Sequence, residues 1–385
     1  MEQKVLNTIK QYKLIENGDR VVVGVSGGPD SISLLDILNK FQKNNIINFE
    51  IIVAHINHQI REEADSDEEF VKEYCEKNQI NFFTKRIDVI KYANNNKMGL
   101  EEAGRKIRYD FFDEILKKED ANKIAIAHNK NDKAETIIMN IIRGSGISGL
   151  RGIEPIRDEK YIRPIINCER YEIEKYAEDN KLNPRIDKTN FENDCTRNKI
   201  RNIVLPYVKK EFNSNIVETL NRLSLVAAET DEYIKRQVIE EYNKIKVEEN
   251  ADKIVLNLKE FNLKDILIRK KILIYTISKV LGNSQNIEKV NVEDIIKMCE
   301  KNIGNKYIMP NKNIKVLVNK GKIFFEAINW VSVKPWICNK NDIKKLLHFI
   351  YLYGIFQVQK YVNSLLCMFK TVKRFLRRRN REERN

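Results

Sequence analysis

In the first half of the chain, short runs of apolar residues alternate with segments whose apolar positions recur every three or four residues. Val21–Val25 is the first such run, and in Ser31–Lys43 after it the apolar residues fall on one face of a predicted helix. Continuous β-branched runs are typical of strands buried on both faces. Further strands are predicted at Phe49–Asn57, Ile80–Ile87, Lys123–His128 and Tyr161–Ile166. This alternation predicts an α/β fold, a parallel sheet with helices on both faces.

Helical periodicity dominates the second half. Asn215–Lys244 predicts one long amphipathic helix, and shorter helices are predicted over Leu263–Leu281 and Val292–Lys301. Two short apolar strands on either side of Asn319-Lys320-Gly321 predict a hairpin. The expected parts are an α/β domain over 1–214, a mainly helical domain over 215–330 and a short, atypical C-terminal tail over 331–385.

The tail consists of an apolar segment and a basic one. Leu346–Phe369 is apolar and aromatic with Lys360 as its charged residue, and lysines and arginines cluster at 370–379. A lysine in mid-span is costly, so a membrane-spanning helix is disfavoured and no membrane is expected. Two interpretations stay open. One is a helix packed on the helical domain with a basic RNA-binding end, and the other is a reading-frame change that replaced the natural end.

The first predicted strand leads into the turn Ser26-Gly27-Gly28-Pro29-Asp30-Ser31. A glycine turn between a strand and a helix start binds anions, because free backbone N–H groups and the positive end of the helix dipole converge there. The turn lacks the lysine of the common ATP-binding loop and carries Asp30 instead. A carboxylate beside a phosphate chain requires a cation between them, for which Mg²⁺ is the best candidate. The alternative is an ordinary strand–helix turn.

A second acidic stretch, Ala127–Thr136, follows the fourth predicted strand. Asp132 is expected to open a helix, either as an ordinary N-terminal cap or as a second carboxylate for Mg²⁺ or an incoming amine. Glu135 lies one turn further on the same face. The glycine-rich segment Arg143–Gly152 predicts a mobile loop that admits a phosphate-bearing substrate, with a plain solvent loop as the alternative.

Polar residues gather where the predicted strands end. Ser26, His55 and His128 lie at the ends of strands whose carboxyl ends meet at one edge of a parallel sheet, where such sheets bind ligands. His55 and His58 are three residues apart, but a catalytic zinc usually takes three protein ligands, and this pattern has no further cysteine or histidine nearby. A hydrogen-bonding or ribose-contacting role for His55, or helix capping, is therefore favoured over a metal site.

Composition adds a basic charge and scattered cysteines. The chain has 385 residues and a net charge of +14, which is typical of nucleic-acid-binding proteins, although a merely basic surface would give the same value. None of the six cysteines forms a C-x-x-C pair, which disfavours a zinc knuckle and fits a reducing cytoplasm. The amino-terminal segment lacks an apolar signal core, so export is not expected. The oligomeric state stays open, with a homodimer as one option.

Five sequence blocks together resemble one enzyme family. The turn Ser26–Ser31 resembles that of the pyrophosphate-loop ATPases, and with the other four blocks the chain resembles the tRNA(Ile)-lysidine synthetases. Many members have A-H-H-x-D-D-Q in the fourth block, from which this chain departs at Asn129, Asn131 and Lys133 while keeping Asp132. The blocks are Ser26–Ser31, His55–Arg61, Glu101–Tyr109, Ala127–Gly152 and Asp187–Pro206.

The resemblance implies a pyrophosphate-loop, Rossmann-like fold and a two-step reaction. ATP adenylates the C2 oxygen of the wobble cytidine in a tRNA(Ile) with anticodon CAU, and the ε-amine of L-lysine then attacks C2 and expels AMP. Asp30 and Asp132 would be the catalytic residues that hold Mg²⁺, and Glu135 and Arg105 would bind the lysine. The residues implied for ATP are Ser26, Gly27, Gly28, Pro29, Asp30, Ser31 and His55, and those for tRNA or phosphate are Arg143, Arg197 and Arg201.

Two competing functions stay open at this point. Another pyrophosphate-loop activity, such as tRNA 2-thiolation, usually needs paired cysteines, which the sequence lacks. A catalytically impaired tRNA-binding protein would keep the basic charge and lose the nucleotide site, yet Ser26–Ser31 and Asp132 are intact. The departure at Asn129 and the atypical tail keep this second alternative in consideration.

Overall fold

The structure is a computed structural model that describes residues 1–59, 64–185, 195–282, 289–301 and 306–328. Two compact units divide the chain, one over Met1–Gln237 and one beginning at Val238. The division falls within the helix Ile216–Ile245, and the domain boundary expected between residues 214 and 215 stays a prediction.

Parts of the sequence-based expectations lie outside the described residues. They are the tail 331–385, Arg61 of the second sequence block and residues 187–194 of the fifth. In the described part of the chain, no helix has the length and apolar character needed to cross a bilayer.

Six strands form the sheet of the first unit, in the order β3-β2-β1-β4-β6-β5. Neighbours pair in parallel except β5 and β6, which are antiparallel. The predicted α/β fold with a parallel sheet is confirmed. The strands are β1 (Arg20–Gly24), β2 (Glu50–Asn57), β3 (Asn81–Arg86), β4 (Lys123–Ile126), β5 (Ile156–Arg157) and β6 (Tyr161–Ile162).

Helices cover both faces of this sheet because its central strand is apolar on both sides. Val21 and Val23 pack in a core with the helix that follows β1, whereas Val22 packs with Phe111 and Phe112 on the other face. A π-helical turn over Ile200–Val204 joins α9 to α10. The helices are α1 (Glu2–Tyr12), α2 (Pro29–Lys43), α3 (Ala64–Asn78), α4 (Val89–Asn96), α5 (Leu100–Lys118), α6 (Lys130–Ile142), α7 (Ile147–Leu150), α8 (Arg170–Asp179), α9 (Thr196–Lys199), α10 (Leu205–Glu211) and α11 (Ile216–Ile245).

Some elements of the first unit differ from the sequence-based expectation. The strand predicted over Tyr161–Ile166 stops after Ile162, because the Ile166 backbone N–H donates to the Arg163 carbonyl at 3.1 Å and closes a turn. The apolar pattern does not predict α4. Its local signal is Asp88, whose side chain accepts a hydrogen bond from the Lys91 backbone N–H as an N-terminal cap.

The second unit combines helices with a five-stranded antiparallel sheet in the order β7-β8-β11-β10-β9. The predicted hairpin is confirmed as β10 and β11, joined at Lys320 (φ 46°) and Gly321 (φ 70°). Positive φ at both positions is typical of the tight turns that match strand twist. The elements are β7 (Lys246–Glu249), β8 (Lys253–Asn257), α12 (Leu258–Asn262), α13 (Ile266–Leu281), α14 (Lys289–Glu300), β9 (Lys306–Asn311), β10 (Ile314–Asn319) and β11 (Lys322–Ala327).

Candidate active site

A cavity of about 1090 Å³ opens at the carboxyl-terminal edge of the parallel sheet. Ser26, His55 and His128, from the ends of three different strands, all line it. Parallel strands end at the same edge, which explains why residues far apart in the sequence come together here. Ordinary ligand sites measure about 300–1,000 Å³, so this cavity can hold a nucleotide and part of a second substrate.

Two glycines shape the turn after β1. Gly24 lies against α5, where an added Cβ would come within 2.4 Å of the Phe112 ring. Gly27 has a φ of +88°, in the left-handed region that favours glycine. Ser31 closes the turn, because its Oγ donates a hydrogen bond to the Gly28 carbonyl at 3.0 Å and accepts one from the Ser26 N–H at 3.1 Å.

The amino terminus of α2 forms part of the cavity wall. Gly28 is the N-terminal cap of this 15-residue helix and Pro29 its first residue, and both line the cavity. Proline suits this position because the N–H that it lacks has no partner within the helix. The positive end of the helix dipole therefore lies where a phosphate group would be stabilised.

Asp30 is a partly buried carboxylate in the first turn of α2 and faces the cavity. Burial, followed by the negative charge of Asp132, raises the pKa of Asp30 to about 6. The charges of Arg170 and Arg201 and a hydrogen bond from Asn129 act in the opposite direction. Two nearby carboxylates in a poorly solvated position provide a site where a cation would be stabilised.

The start of α6 connects the two carboxylates. Asn129 is its N-terminal cap and Asp132 is its third residue. The expectation that Asp132 opens the helix is therefore wrong, because the helix begins two residues earlier. The Asn129 Oδ1 accepts from the Asp132 N–H at 2.9 Å, and the Asp132 Oδ2 accepts from the Asn129 N–H at 3.1 Å. In addition, the Asn129 Nδ2 donates to the Asp30 Oδ1 at 3.0 Å.

One helical turn further, Glu135 is held by two arginines. The side chain of Glu135 is 1% exposed, with Arg197 Nε at 2.9 Å from its Oε2 and Arg201 Nε at 2.6 Å from its Oε1. The Arg201 Nη2 also donates to the Asp132 Oδ1 at 2.9 Å. Burial alone would lower the pKa of Arg197, but the charges of Asp132 and Glu135 more than offset it, so this pKa is raised. The four side chains form a compact, charge-balanced cluster beside Asp30.

The structure brings some predicted site residues together and leaves others apart. Arg201 lines the cavity, whereas in the described part of the chain Arg105 and Arg143 do not. Arg105 is exposed on α5, with its guanidinium carbon 5.5 Å from the centroid of the Tyr109 ring. Arg143 is exposed at the end of α6.

Two of the three histidines that line the cavity, His55 and His128, are neutral hydrogen-bonding groups. His55 is 2% exposed, its Nδ1–H donates to the Val25 carbonyl at 2.9 Å, and burial lowers its pKa. Burial, together with the positive charge of neighbouring arginines, holds the pKa of His128 well below its ordinary value. Arg163 Nε donates to His128 Nδ1 at 3.2 Å, so the proton of this neutral imidazole is on Nε2.

The three departures from the family pattern all have structural positions at this site. Asn129 is fully buried between the carboxylates, as described above. The Asn131 Oδ1 accepts from the Arg170 N–H at 3.0 Å and so ties α6 to the first residue of α8. Lys133 is 7% exposed, and burial lowers its pKa. Its Cγ is 3.3 Å from where a Cβ on Gly152 would lie, so the glycine-rich segment packs against it.

Sequence reasoning missed several cationic residues of the cavity wall, among them Arg170 and Arg185. Arg170 lines the cavity from the start of α8. Arg185 lines it as well, and its backbone N–H donates to the Gly27 carbonyl at 3.0 Å, which places it over the glycine turn. The sequence carries no signal for either residue beyond a basic side chain near a helix end, because only the fold brings them to the turn.

Comparison with known proteins places the chain in a family. A family model described as the PP-loop domain, ATP_bind_3, matches residues 1–208. The tRNA(Ile)-lysidine synthase of Clostridium acetobutylicum is 46% identical over 324 residues, which cover 84% of this chain and 69% of that protein. Those of Clostridioides difficile and Clostridium tetani are 44% and 42% identical, covering 83% and 84% of this chain and 69% of each relative.

These matches include the glycine turn, both carboxylates and the arginines that hold Glu135, since all of them lie within the PP-loop domain match. The matches to the curated relatives continue through most of the remaining described chain. The chain therefore belongs to the tRNA(Ile)-lysidine synthase family and begins with that family's ATP-utilising PP-loop domain.

Proposed function

We propose that this chain is a ligase that joins L-lysine to C2 of the wobble cytidine of a CAU-anticodon tRNA(Ile) at the expense of ATP. The observation that carries the proposal is the placement of Asp30 beside the glycine turn, where it lines a cavity large enough for a nucleotide and part of a second substrate, with Asp132 linked to it through Asn129. Membership of the tRNA(Ile)-lysidine synthase family supports the identity of the substrates.

In the first step, the C2 oxygen of the cytidine attacks the α-phosphorus of ATP, and the bond to the β-phosphate oxygen breaks. Pyrophosphate leaves and the base carries AMP. We assign the pyrophosphate to the turn Ser26–Ser31, because the amino terminus of α2 and the flanking Arg170 and Arg185 offer positive potential there. His55, with its Nδ1 held by the Val25 carbonyl, presents Nε2 as an acceptor for a ribose hydroxyl.

The side chains present fit a hard divalent cation such as Mg²⁺. Mg²⁺ is usually held by one or two carboxylates together with substrate phosphates and water. In the described ranges, no group of three histidine, cysteine or acidic side chains is placed to hold a metal, so the nucleotide would supply the remaining ligands. Asp30 and Asp132 would hold the ion, which would neutralise charge that builds up on the α-phosphate.

In the second step, the lysine ε-amine attacks C2, the C2–O bond breaks, AMP leaves and the amine loses a proton. Glu135 remains the proposed partner of the lysine ammonium, which would share the carboxylate with Arg197 and Arg201. Arg105 remains the predicted partner of the lysine carboxylate. Arg108, one turn further on α5, is a second candidate because it lines the cavity.

His128 acts in this scheme as a hydrogen-bond donor and not as the base. Its Nδ1 already accepts from Arg163, which leaves the Nε2–H to face substrate oxygen atoms in the cavity. Burial, together with the charge of the surrounding arginines, lowers the pKa of His128 and keeps it neutral at physiological pH. The proton of the lysine amine therefore passes to a carboxylate of the site.

The tRNA is proposed to approach across exposed basic residues of the first unit. Arg143 is exposed at the end of α6 and is free to meet a phosphate. Arg197 and Arg201 are proposed to contact a phosphate through the same guanidinium groups that bind Glu135. The net charge of +14 favours this approach because each phosphate contact releases counterions.

The first step can be tested by itself. The protein is incubated with ATP labelled at the α-phosphate, Mg²⁺ and a CAU-anticodon tRNA(Ile) transcript, without lysine. We expect label on the tRNA and its release as AMP when lysine is added. A transcript with uridine at the wobble position is the matched control and should stay unlabelled. AMP formation that needs lysine but not tRNA would contradict the proposal, because lysine and not the tRNA would then be the adenylated substrate.

A further inference from the structure

We propose that Asn129 is a positioning residue that sets the spacing and orientation of Asp30 and Asp132 for a divalent cation bound with ATP. This inference rests on the proposed function, whose nucleotide site it deepens. The two acids lie on different helices, Asp30 on α2 and Asp132 on α6, so their relative position depends on a residue that contacts both.

The geometry gives Asn129 three hydrogen bonds to the two acids. Its Nδ2 donates to the Asp30 Oδ1 at 3.0 Å, its Oδ1 accepts from the Asp132 N–H at 2.9 Å, and its N–H donates to the Asp132 Oδ2 at 3.1 Å. The side chain is fully buried, so packing limits its rotation. A planar amide bonded at both ends fixes the distance between the two helix starts.

These bonds engage three of the four carboxylate oxygens. The Asp132 Oδ1 accepts from Arg201 and the Asp132 Oδ2 from Asn129, while the Asp30 Oδ1 accepts from the Asn129 amide. Among the described residues of the first unit, no hydrogen bond engages the Asp30 Oδ2, and Asp30 lines the cavity. The Asn129 amide thus fixes one oxygen of Asp30 and leaves the other for a ligand.

An ordinary N-terminal cap would need only one of these bonds. A cap requires an acceptor for the backbone N–H of the third helical residue, and serine or threonine serves as well as asparagine. Only asparagine adds an amide N–H that reaches Asp30. Groups that orient metal ligands in this way typically contribute 10- to 100-fold to metal affinity.

Asn129→Ser and Asn129→Thr separate the two roles, because each keeps the cap and removes the amide donor. The matched control is Asn257→Ser, at the start of α12, where the side chain accepts only from the Glu260 N–H at 3.1 Å. Each full-length variant is titrated with Mn²⁺ in the presence of a non-hydrolysable ATP analogue, and free Mn²⁺ is followed by electron paramagnetic resonance. Analogue binding without metal is measured by calorimetry.

We expect both Asn129 variants to bind Mn²⁺ about tenfold more weakly than the wild type, with unchanged metal-free binding of the analogue. Unchanged Mn²⁺ affinity would overturn the inference while leaving the proposed function intact. An equal loss with and without metal, or a failure of both variants to fold, would assign Asn129 a structural role and also overturn it. If the wild type itself binds the analogue without any dependence on metal, the Mg²⁺ part of the proposed function falls as well.

Discussion

At the scale of single residues, the candidate site is defined by a carboxylate, Asp30, that the fold holds in a poorly solvated position beside a second carboxylate. Asp30 is partly buried and near Asp132, and its pKa is raised to about 6 as a result. The sequence predicted both acids, because an acid beside a glycine turn and an acid at a helix start are local signals. It could not predict Asn129 as their link, since the contact joins positions that are 99 residues apart.

Asp30→Asn is expected to stabilise the protein without ligands while it abolishes activity. The folded-state pKa of Asp30 lies above its ordinary value of 3.8, so its charged form disfavours folding. The cost is absent well below pH 3.8, grows as the pH rises and is complete above about pH 6. We expect the variant to unfold with about 3 kcal/mol more free energy at pH 8 and roughly half that gain at pH 5.

Chemical denaturation of wild type and variant at the two pH values measures this difference. Adenylation of tRNA should fall about 100-fold or more in the variant, since a ligand of the charge-neutralising ion is lost. An equal stability of the two proteins at pH 8 would show that Asp30 is well solvated, contrary to its burial in the structure.

At the scale of elements, helix contacts made through a few ionic side chains hold the site together. The long helix α11 was predicted to within one residue at each end, because its apolar period is regular over its whole length. The π-helical turn at Ile200–Val204 was not predicted. It depends on tertiary contacts, since Arg197 and Arg201 on either side of its start both reach Glu135 on α6.

Near its carboxyl-terminal end, the glycine-rich segment Arg143–Gly152 forms an ion pair and a hydrogen bond with α11. Arg151 Nη1 lies 2.6 Å from the Asp231 Oδ2, and Ser148 Oγ donates to the Asp231 Oδ1 at 2.7 Å. Asp231 is 2% exposed, so these bonds are shielded from water. The expected mobility of this segment stays a prediction, but its carboxyl-terminal end has a defined anchor.

Asp231→Asn should loosen the segment, because it removes the charge that Arg151 and Ser148 share. Hydrogen bonds to charged groups contribute about 1.5–3 kcal/mol each, so a loss of about 2 kcal/mol in unfolding free energy is expected. Faster tryptic cleavage after Arg143 or Arg151 and slower tRNA adenylation, with unchanged ATP binding, would accompany it. Glu232→Gln is the matched control, since Glu232 also pairs with Arg151 but is 47% exposed and should change stability by less than about 0.5 kcal/mol. Equal effects of the two substitutions would contradict the anchor.

At the scale of the whole molecule, the two units differ in how much of their structure can be predicted from the sequence. The first unit follows from the order of its elements, because alternating strands and helices have few ways to pack. The second unit contains the predicted helices and hairpin, and further strands join the hairpin in a five-stranded antiparallel sheet. Its strand β8 pairs with β11, far along the chain, and such pairing leaves little trace in a local apolar pattern.

The proposed ligation of lysine to a wobble cytidine can be tested by following labelled lysine into the tRNA. Purified protein is incubated with ATP, Mg²⁺, labelled L-lysine and a CAU-anticodon tRNA(Ile) transcript, and the tRNA is digested to nucleosides. We expect label in one modified cytidine from the wobble position, and this label should depend on ATP and be lost with Asp30→Asn. Protein that binds ATP and the transcript but leaves every nucleoside unlabelled would contradict it.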